Sequence, residues 1–230
     1  MRTDNYSVWM AAGTLLLIAP EVSLSERQAV LDSLLYAQLV ANKAVGSRFA
    51  DYPQWYSRYR HGLSARDWIL TQLFQDTHTP SGRASMVAPI QPLTLWLEGR
   101  HAGASSVVEQ GLQALGSTQG GLDIFRPFAF EGDASGTRIA LEIGLVHKGP
   151  IIDMCSIALQ TSLLLEQVTI EQPLYANTIQ GDVLIKGQSA QLDCALFEPR
   201  REELRRLIER KQQERCYLLE LGKKQGGNHE

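Results

Sequence analysis

The hydrophobic period of this chain changes once, near residue 121, and that change limits the folds open to it. Beyond it Ile139, Leu141, Ile143 and Leu145 alternate with Arg138, Ala140, Glu142 and Gly144, the two-residue period of a strand with one covered face. Residues 148–150 read as a turn, and 151–163 alternate again. Further extended stretches are expected around Val168 and Ile170, from Ile179 to Ile185, and through Leu192, Cys194 and Leu196, with 186–189 as a hairpin between the last two. Strands that follow one another without intervening helices imply an antiparallel sheet and argue against a parallel βαβ fold.

Before residue 121 the period is helical. Ser23 and Glu26 have the spacing of a capping box, and Leu31, Leu34, Leu35 and Leu39 recur along one face. Asp51 before Tyr52-Pro53 marks a second helix, ended near Gly62. Residues 67–76 lean towards a strand, 77–88 towards a loop, and 90–98 and 105–115 towards helices. The stretch 116–121, rich in Gly and Ser, reads as a linker. The apolar run 8–19 is too short to span a bilayer as a helix and lacks a signal-peptide cleavage site, so 6–19 is expected to be a buried first helix. This implies synthesis in the cytoplasm and leaves non-classical secretion open.

The expected architecture is therefore α+β: a helical N-terminal half (1–116) packed with a C-terminal antiparallel sheet or sandwich (122–221), as two regions or one continuous domain. Across 230 residues the net charge is -3, with 44% hydrophobic and 20% charged residues, a globular composition without global attraction to nucleic acid. The charge is uneven. Residues 1–121 carry nine basic and nine acidic side chains, 122–198 four and ten, and 199–230 nine and six. A helix over 200–215, laced by Glu202/Arg206, Arg205/Glu209 and Arg210/Glu214 at i,i+4, is expected to lie across the acidic sheet, and a last strand to follow over 216–221.

The most unusual local composition is the cluster Tyr52, Trp55, Tyr56, Arg58, Tyr59, Arg60 and His61. Its aromatics fall on one helix face with Phe49, either as packing or as a platform for bases, sugars or a peptide with arginines for phosphates or carboxylates. Asp76 and His78, with Arg83, offer a dispersed acid/base set. Three cysteines, Cys155, Cys194 and Cys216, lack zinc or disulfide spacing even with His147 added. The glycines around Ser135 miss the nucleophile-elbow spacing, and phosphate-loop, dinucleotide and zincin motifs do not occur.

With no catalytic motif, cofactor or metal suggested, the first reading is a non-enzymatic interaction module of adaptor, immunity or effector type. It would act through the sheet face or the aromatic helix, on another protein or a second copy of this chain. The alternatives are a toxin-like protein whose amphipathic strands between 151 and 172 enter a membrane, with Ser156, Thr161, Ser162 and Thr169 among the permissive hydroxyls, and a hydrolase built on Asp76, His78 and Arg83.

Overall fold

The apolar run 8–19 folds as a hairpin rather than a helix: β1 (Ser7–Ala11) turns through Ala12 and Gly13 into β2 (Thr14–Ile18). A strand buried on both faces is written as an unbroken apolar run, which periodicity alone does not separate from a buried helix. Gly13 leaves room at the turn for the buried Arg48 side chain. A Cβ there would collide with the Arg48 guanidinium.

The computed structural model describes residues 6–82 and 85–222. After the hairpin come α1 (Leu24–Val45), α2 (Tyr52–Ser64), β3 (Trp68–His78), β4 (Met86–Val87), α3 (Ile90–Glu98), α4 (Ala104–Ser117) and α5 (Gly121–Ala129). The second half holds β5 (Phe130–Asp133), β6 (Gly136–His147), β7 (Ile151–Thr161), β8 (Leu174–Tyr175), β9 (Val183–Leu192), α6 (Cys194–Phe197), α7 (Arg201–Glu214) and β10 (Leu218–Leu221). The main sheet has the order β10-β1-β2-β6-β7-β9-β3, with β5 hydrogen-bonded to β6. Every neighbouring pair is antiparallel except β2–β6, which is parallel. The fold is α+β, as the change of period requires. The strands paired with one another within 122–221 are antiparallel, as expected; the parallel pair joins β6 to β2 of the N-terminal hairpin, across the helical excursion that separates them in the chain.

Two apolar cores sandwich the sheet. On one face α1 and α2 pack on Ala140, Val146, Ile152, Met154 and Ala158. On the other, α3, α4 and α5 pack on Ile139, Leu141, Ile143, Leu145, Ile157 and Leu159. The Ser23/Glu26 capping box forms at the start of α1, and Asp51 accepts from the Gln54 amide at the start of α2.

Several local expectations fail for identifiable reasons. The stretch 116–121 is not a linker: α4 runs through Ser117 and α5 begins at Gly121, with Gly120 supplying a left-handed φ of 71° between them. Residues 186–189 are not a hairpin but the middle of β9, where Gly187 is kept small by the Trp96 indole; a Cβ would come within 2.5 Å of that ring. Cys194 and Leu196 belong to α6, because Asp193 caps the Ala195 and Leu196 amides. Val168 and Ile170 form no strand and drop into the second core.

The charged helix is correctly placed in sequence as α7, but it lies on α1, inserting Leu204 and Ile208 beside the first core, and does not cover the sheet. Of the ten acidic residues in 122–198 that suggested sheet docking, Glu142 and Asp153 are themselves buried. The pairs Glu202/Arg206 and Arg205/Glu209 form, whereas Glu214 bonds Lys211 in place of Arg210.

Candidate functional site

The strands β6, β7 and β9 make a two-faced ribbon at the centre of the molecule. Their register aligns Glu142 with Ser156 and Lys186, Gly144 with Met154 and Gln188, and Ala140 with Ala158 and Leu184. This face, with Arg138 and Gln160 at one end, mixes charged, amide and hydroxyl groups with small residues. One position along each strand, the opposite face reads Ile139, Leu141, Ile143 and Leu145 on β6, Cys155, Ile157 and Leu159 on β7, and Val183 and Ile185 on β9. It is apolar over its middle.

The mixed face is sealed by the aromatic helix. Tyr52, Trp55, Tyr56 and Tyr59 are all buried, stacked, tilted or edge-on along α2 with ring centroids 5.1 to 6.3 Å apart. The rings are turned inward, so none is offered to a base or peptide at the surface. Of the other cluster members, Arg58 and His61 are exposed and Arg60 is half-buried over the Tyr56 ring. Phe49 is half-buried against the same core.

Beneath α2 the polar groups form two hydrogen-bonded sets, one around Glu142 and Arg48 and one around Ser156. Glu142 accepts from the Thr14 hydroxyl at 2.5 Å and from the Tyr59 hydroxyl at 3.2 Å. The buried Arg48 guanidinium donates to Gln38 Oε1 at 2.5 Å and to the Gly13 carbonyl at 3.1 Å, and lies 4.5 Å from the centre of the Trp55 ring. Gln38 in turn donates to the Ala11 carbonyl and to Thr14 Oγ1. Tyr52 donates to Ser156 at 2.6 Å, and Ser156 donates to the Lys186 carbonyl. Burial raises the Glu142 carboxyl above its ordinary value, with the Arg48 charge and the Thr14 and Tyr59 hydroxyls opposing it. Burial also raises the Tyr52, Tyr56 and Tyr59 phenols, the Glu142 charge adding to it. Every phenol here stays a neutral donor, which a carboxylate neighbour needs.

The apolar face has no such network. Its coat is held by packing and, at one end, by a polar clasp from the α3–α4 connection. His101 Nε2 lies 2.8 Å from Asp153 Oδ2 on β7, Arg100 Nε lies 3.6 Å from Oδ1, and Ser189 of β9 donates to the same carboxylate. The His101 ring stacks on His147 at 4.2 Å. The serine donates to the carboxylate and not to the imidazole, so this is a clasp rather than a nucleophile with its base. Burial, then the neighbouring His101, lowers the His147 imidazole. Sequence spacing does not reveal this cluster, because its members lie far apart in the chain.

Elsewhere, Asp76 and His78 sit 3.8 Å apart at the exposed end of β3, open to water, and Arg83 lies outside the described residues. Cys155 is buried, its thiol pushed up to about 12, while Cys194 and Cys216 are exposed. Among the described residues no His, Cys, Asp and Glu group is arranged to hold a metal ion.

No protein-family model matches the sequence, and no curated protein matches it. Among solved structures, similarity is found to a delta-endotoxin, at a TM-score of 0.44 and 10% identity over 79% of this chain and 81% of that one. The activated Cyt2Ba monomer from Bacillus thuringiensis subsp. israelensis aligns at 0.43 and 11% identity, over 79% of this chain and 98% of that one. The Evf virulence factor aligns at 0.37 and 8% identity, over 91% and 83% respectively.

Proposed function

We propose that this chain is a toxin-like protein that acts on membranes, its central ribbon kept latent between two helical coats until the apolar coat separates on a bilayer. The observation that carries the reading is the two-faced ribbon itself. Strands β6, β7 and β9 are 12, 11 and 10 residues long, matching the roughly 9–11 residues a tilted strand needs to cross a hydrocarbon core. One side is apolar and the other carries Arg138, Glu142, Ser156, Gln160, Lys186 and Gln188, the alternation of a strand with lipid on one side and water on the other.

The physics also favours one coat as the mobile one. Exchanging α3–α5 for acyl chains breaks few polar contacts, namely the Asp153 clasp, the bond from the Gly222 amide to the Thr118 hydroxyl and the bond from Arg126 to the Leu165 carbonyl, because the remaining contact is apolar and lipid replaces it at little cost. Removing α2 instead would strand the Glu142, Arg48 and Ser156 partners away from water. Among the described residues no helix is long and apolar enough to cross a membrane, so the reading rests on strands.

The test is dye release from phosphatidylcholine vesicles, with and without anionic lipid, together with amide hydrogen exchange. Release is expected, with α3–α5 losing protection on vesicles while β6, β7 and β9 keep theirs. No release in any composition between about pH 5 and 8, with α3–α5 equally protected with and without vesicles, would remove the proposal.

A specific feature favours a second reading, an interaction module. Strand β3 is an edge with Ile69 56% and Leu73 54% exposed, an open template for pairing with a second copy of this chain. Sedimentation at about 0.1 mM is expected to show a dimer that Ile69→Lys dissociates; a monomer throughout excludes it.

A further inference from the structure

A cleft of about 200 Å³ opens between α2, β3 and β9, lined by Tyr56, Arg60, Leu73, Phe74, Gln75 and Lys186, with Gly187 at its floor. Two cations converge on it. Lys186 is only 9% exposed, and its ammonium donates to the neutral Gln75 amide oxygen at 2.7 Å and lies 5.7 Å from the centre of the Tyr56 ring. The Arg60 guanidinium lies 5.5 Å from the centre of the same ring, with its Nε buried and unbonded. The Tyr56 hydroxyl, in a side chain 3% exposed, also has no partner.

Among the described residues no carboxylate pairs with either cation. The nearby acids are engaged or turned away. Asp76 follows Gln75 on β3 and therefore faces the other side of the sheet, opposite Ile185. Asp182, just before the start of β9, accepts from the Thr79 hydroxyl. Glu142 lies two strands away, about 10 Å by strand spacing, and is held by Thr14 and Tyr59. Burial, then the like charge of Arg60, lowers the Lys186 ammonium from its ordinary value. A buried cation beside a second cation, with no anion between them, is a costly arrangement for a site with nothing to bind.

The geometry points to an oxyanion site in this cleft: a phosphate group held between the Lys186 ammonium and the Arg60 guanidinium, with the Tyr56 hydroxyl as a third donor. Three donors from two elements converge on one concavity, the arrangement that recognises a tetrahedral anion. Leu73, 54% exposed at the rim and on the same face of β3 as Gln75, would meet an apolar body attached to that anion. The phosphate can come from a lipid headgroup or from a free phosphate, and the inference holds whether or not the ribbon enters a bilayer.

The test is isothermal titration near pH 7.5 with inorganic phosphate and, separately, dihexanoyl phosphatidic acid below its micelle concentration, each against chloride at matched ionic strength. Binding at or below about 1 mM is expected, weakened about tenfold or more by Arg60→Gln and by Lys186→Met. Phosphate is also expected to raise the melting temperature of the wild type but not of Arg60→Gln, which changes a half-exposed residue outside the core. Lipid at least tenfold tighter than phosphate assigns the site to headgroups, and equal affinities assign it to free phosphate; both support the inference. Failure of the wild type to bind either probe, or wild-type affinity in both variants, overturns it.

Discussion

Replacing Arg48 with Ala is expected to lower the unfolding free energy by about 3–5 kcal/mol, the range for stripping the partner from a buried charge. Arg48 is 7% exposed, and its guanidinium is the cation that opposes the burial of Glu142, which is 2% exposed. Alanine would leave the Gly13 carbonyl and Gln38 Oε1 without that donor, empty the space beside Trp55 and remove the countercharge at once. The pH dependence carries the diagnosis. The Glu142 carboxyl is already raised in the folded state, and losing Arg48 raises it further. A folded value above the unfolded one means that the native state holds the proton more tightly, so stability from this group is present at low pH and lost as pH rises through the folded value. The deficit of Arg48→Ala should therefore shrink on acidification, and Arg48→Ala/Glu142→Gln should be less damaged near neutral pH than Arg48→Ala alone. Urea unfolding of the four proteins of this cycle measures both effects. An Arg48→Ala stability within about 1 kcal/mol of wild type would show that the network is not a connected unit.

The parts of this architecture that are legible in the sequence are those written in local chemistry. The capping box at Ser23 and Glu26, the Asp51 cap and the alternation of β6 each follow from groups a few residues apart, and each forms. The failures share a different cause. The run 8–19 and the segment 186–189 are decided by what covers them: one is a strand pair because both its faces are buried, the other because β9 runs between two partners and Trp96 fills the space of a side chain at Gly187. Neither condition is visible within a short window of sequence.

The same division holds for the candidate sites. The α2 cluster announces itself by composition, yet its rings serve a buried seam, and of its polar members Arg60 alone joins Lys186 of β9 in flanking Tyr56 at the cleft. The local pattern places Lys186 in a turn, so its partnership with Arg60, 126 positions earlier in the chain, has no signal in spacing. The Asp153 clasp likewise joins α3–α4 to β7 and β9 across the fold. Alternation in β6 is legible; its pairing with β7 and β9 into a ribbon with one apolar and one mixed face depends on register, which a one-residue slip would invert.

A second large effect is expected from Asp32→Asn, and its sign is opposite. Asp32 lies on α1 beneath α7 and is 3% exposed, with one oxygen accepting from Gln28 Nε2 at 2.8 Å. Burial raises its carboxyl to about 6, against the smaller effects of the Gln28 bond and the Arg205 and Arg201 charges, while Glu209 adds to the rise. The folded value thus exceeds the unfolded one of 3.8. This group's contribution is fully present below about pH 4 and is lost as pH rises through about 6, so near pH 7.5 the native state carries a desolvated carboxylate that the unfolded chain hydrates freely. The gap between those two values is worth about 3 kcal/mol. Asparagine keeps the shape and an acceptor for Gln28 but has no charge to desolvate. Asp32→Asn is therefore expected to gain about 2 kcal/mol near pH 7.5, or about 4–8 °C in melting temperature, and to match wild type near pH 4. The alternative is that Arg201 and Arg205 hold the carboxylate in a productive pair across the α1–α7 contact. In that case the variant would be less stable than wild type near neutral pH, and the burial argument for Asp32 would be wrong. Melting curves at three pH values decide between them, because only the desolvated carboxylate makes the two proteins converge on acidification with the variant ahead at neutral pH.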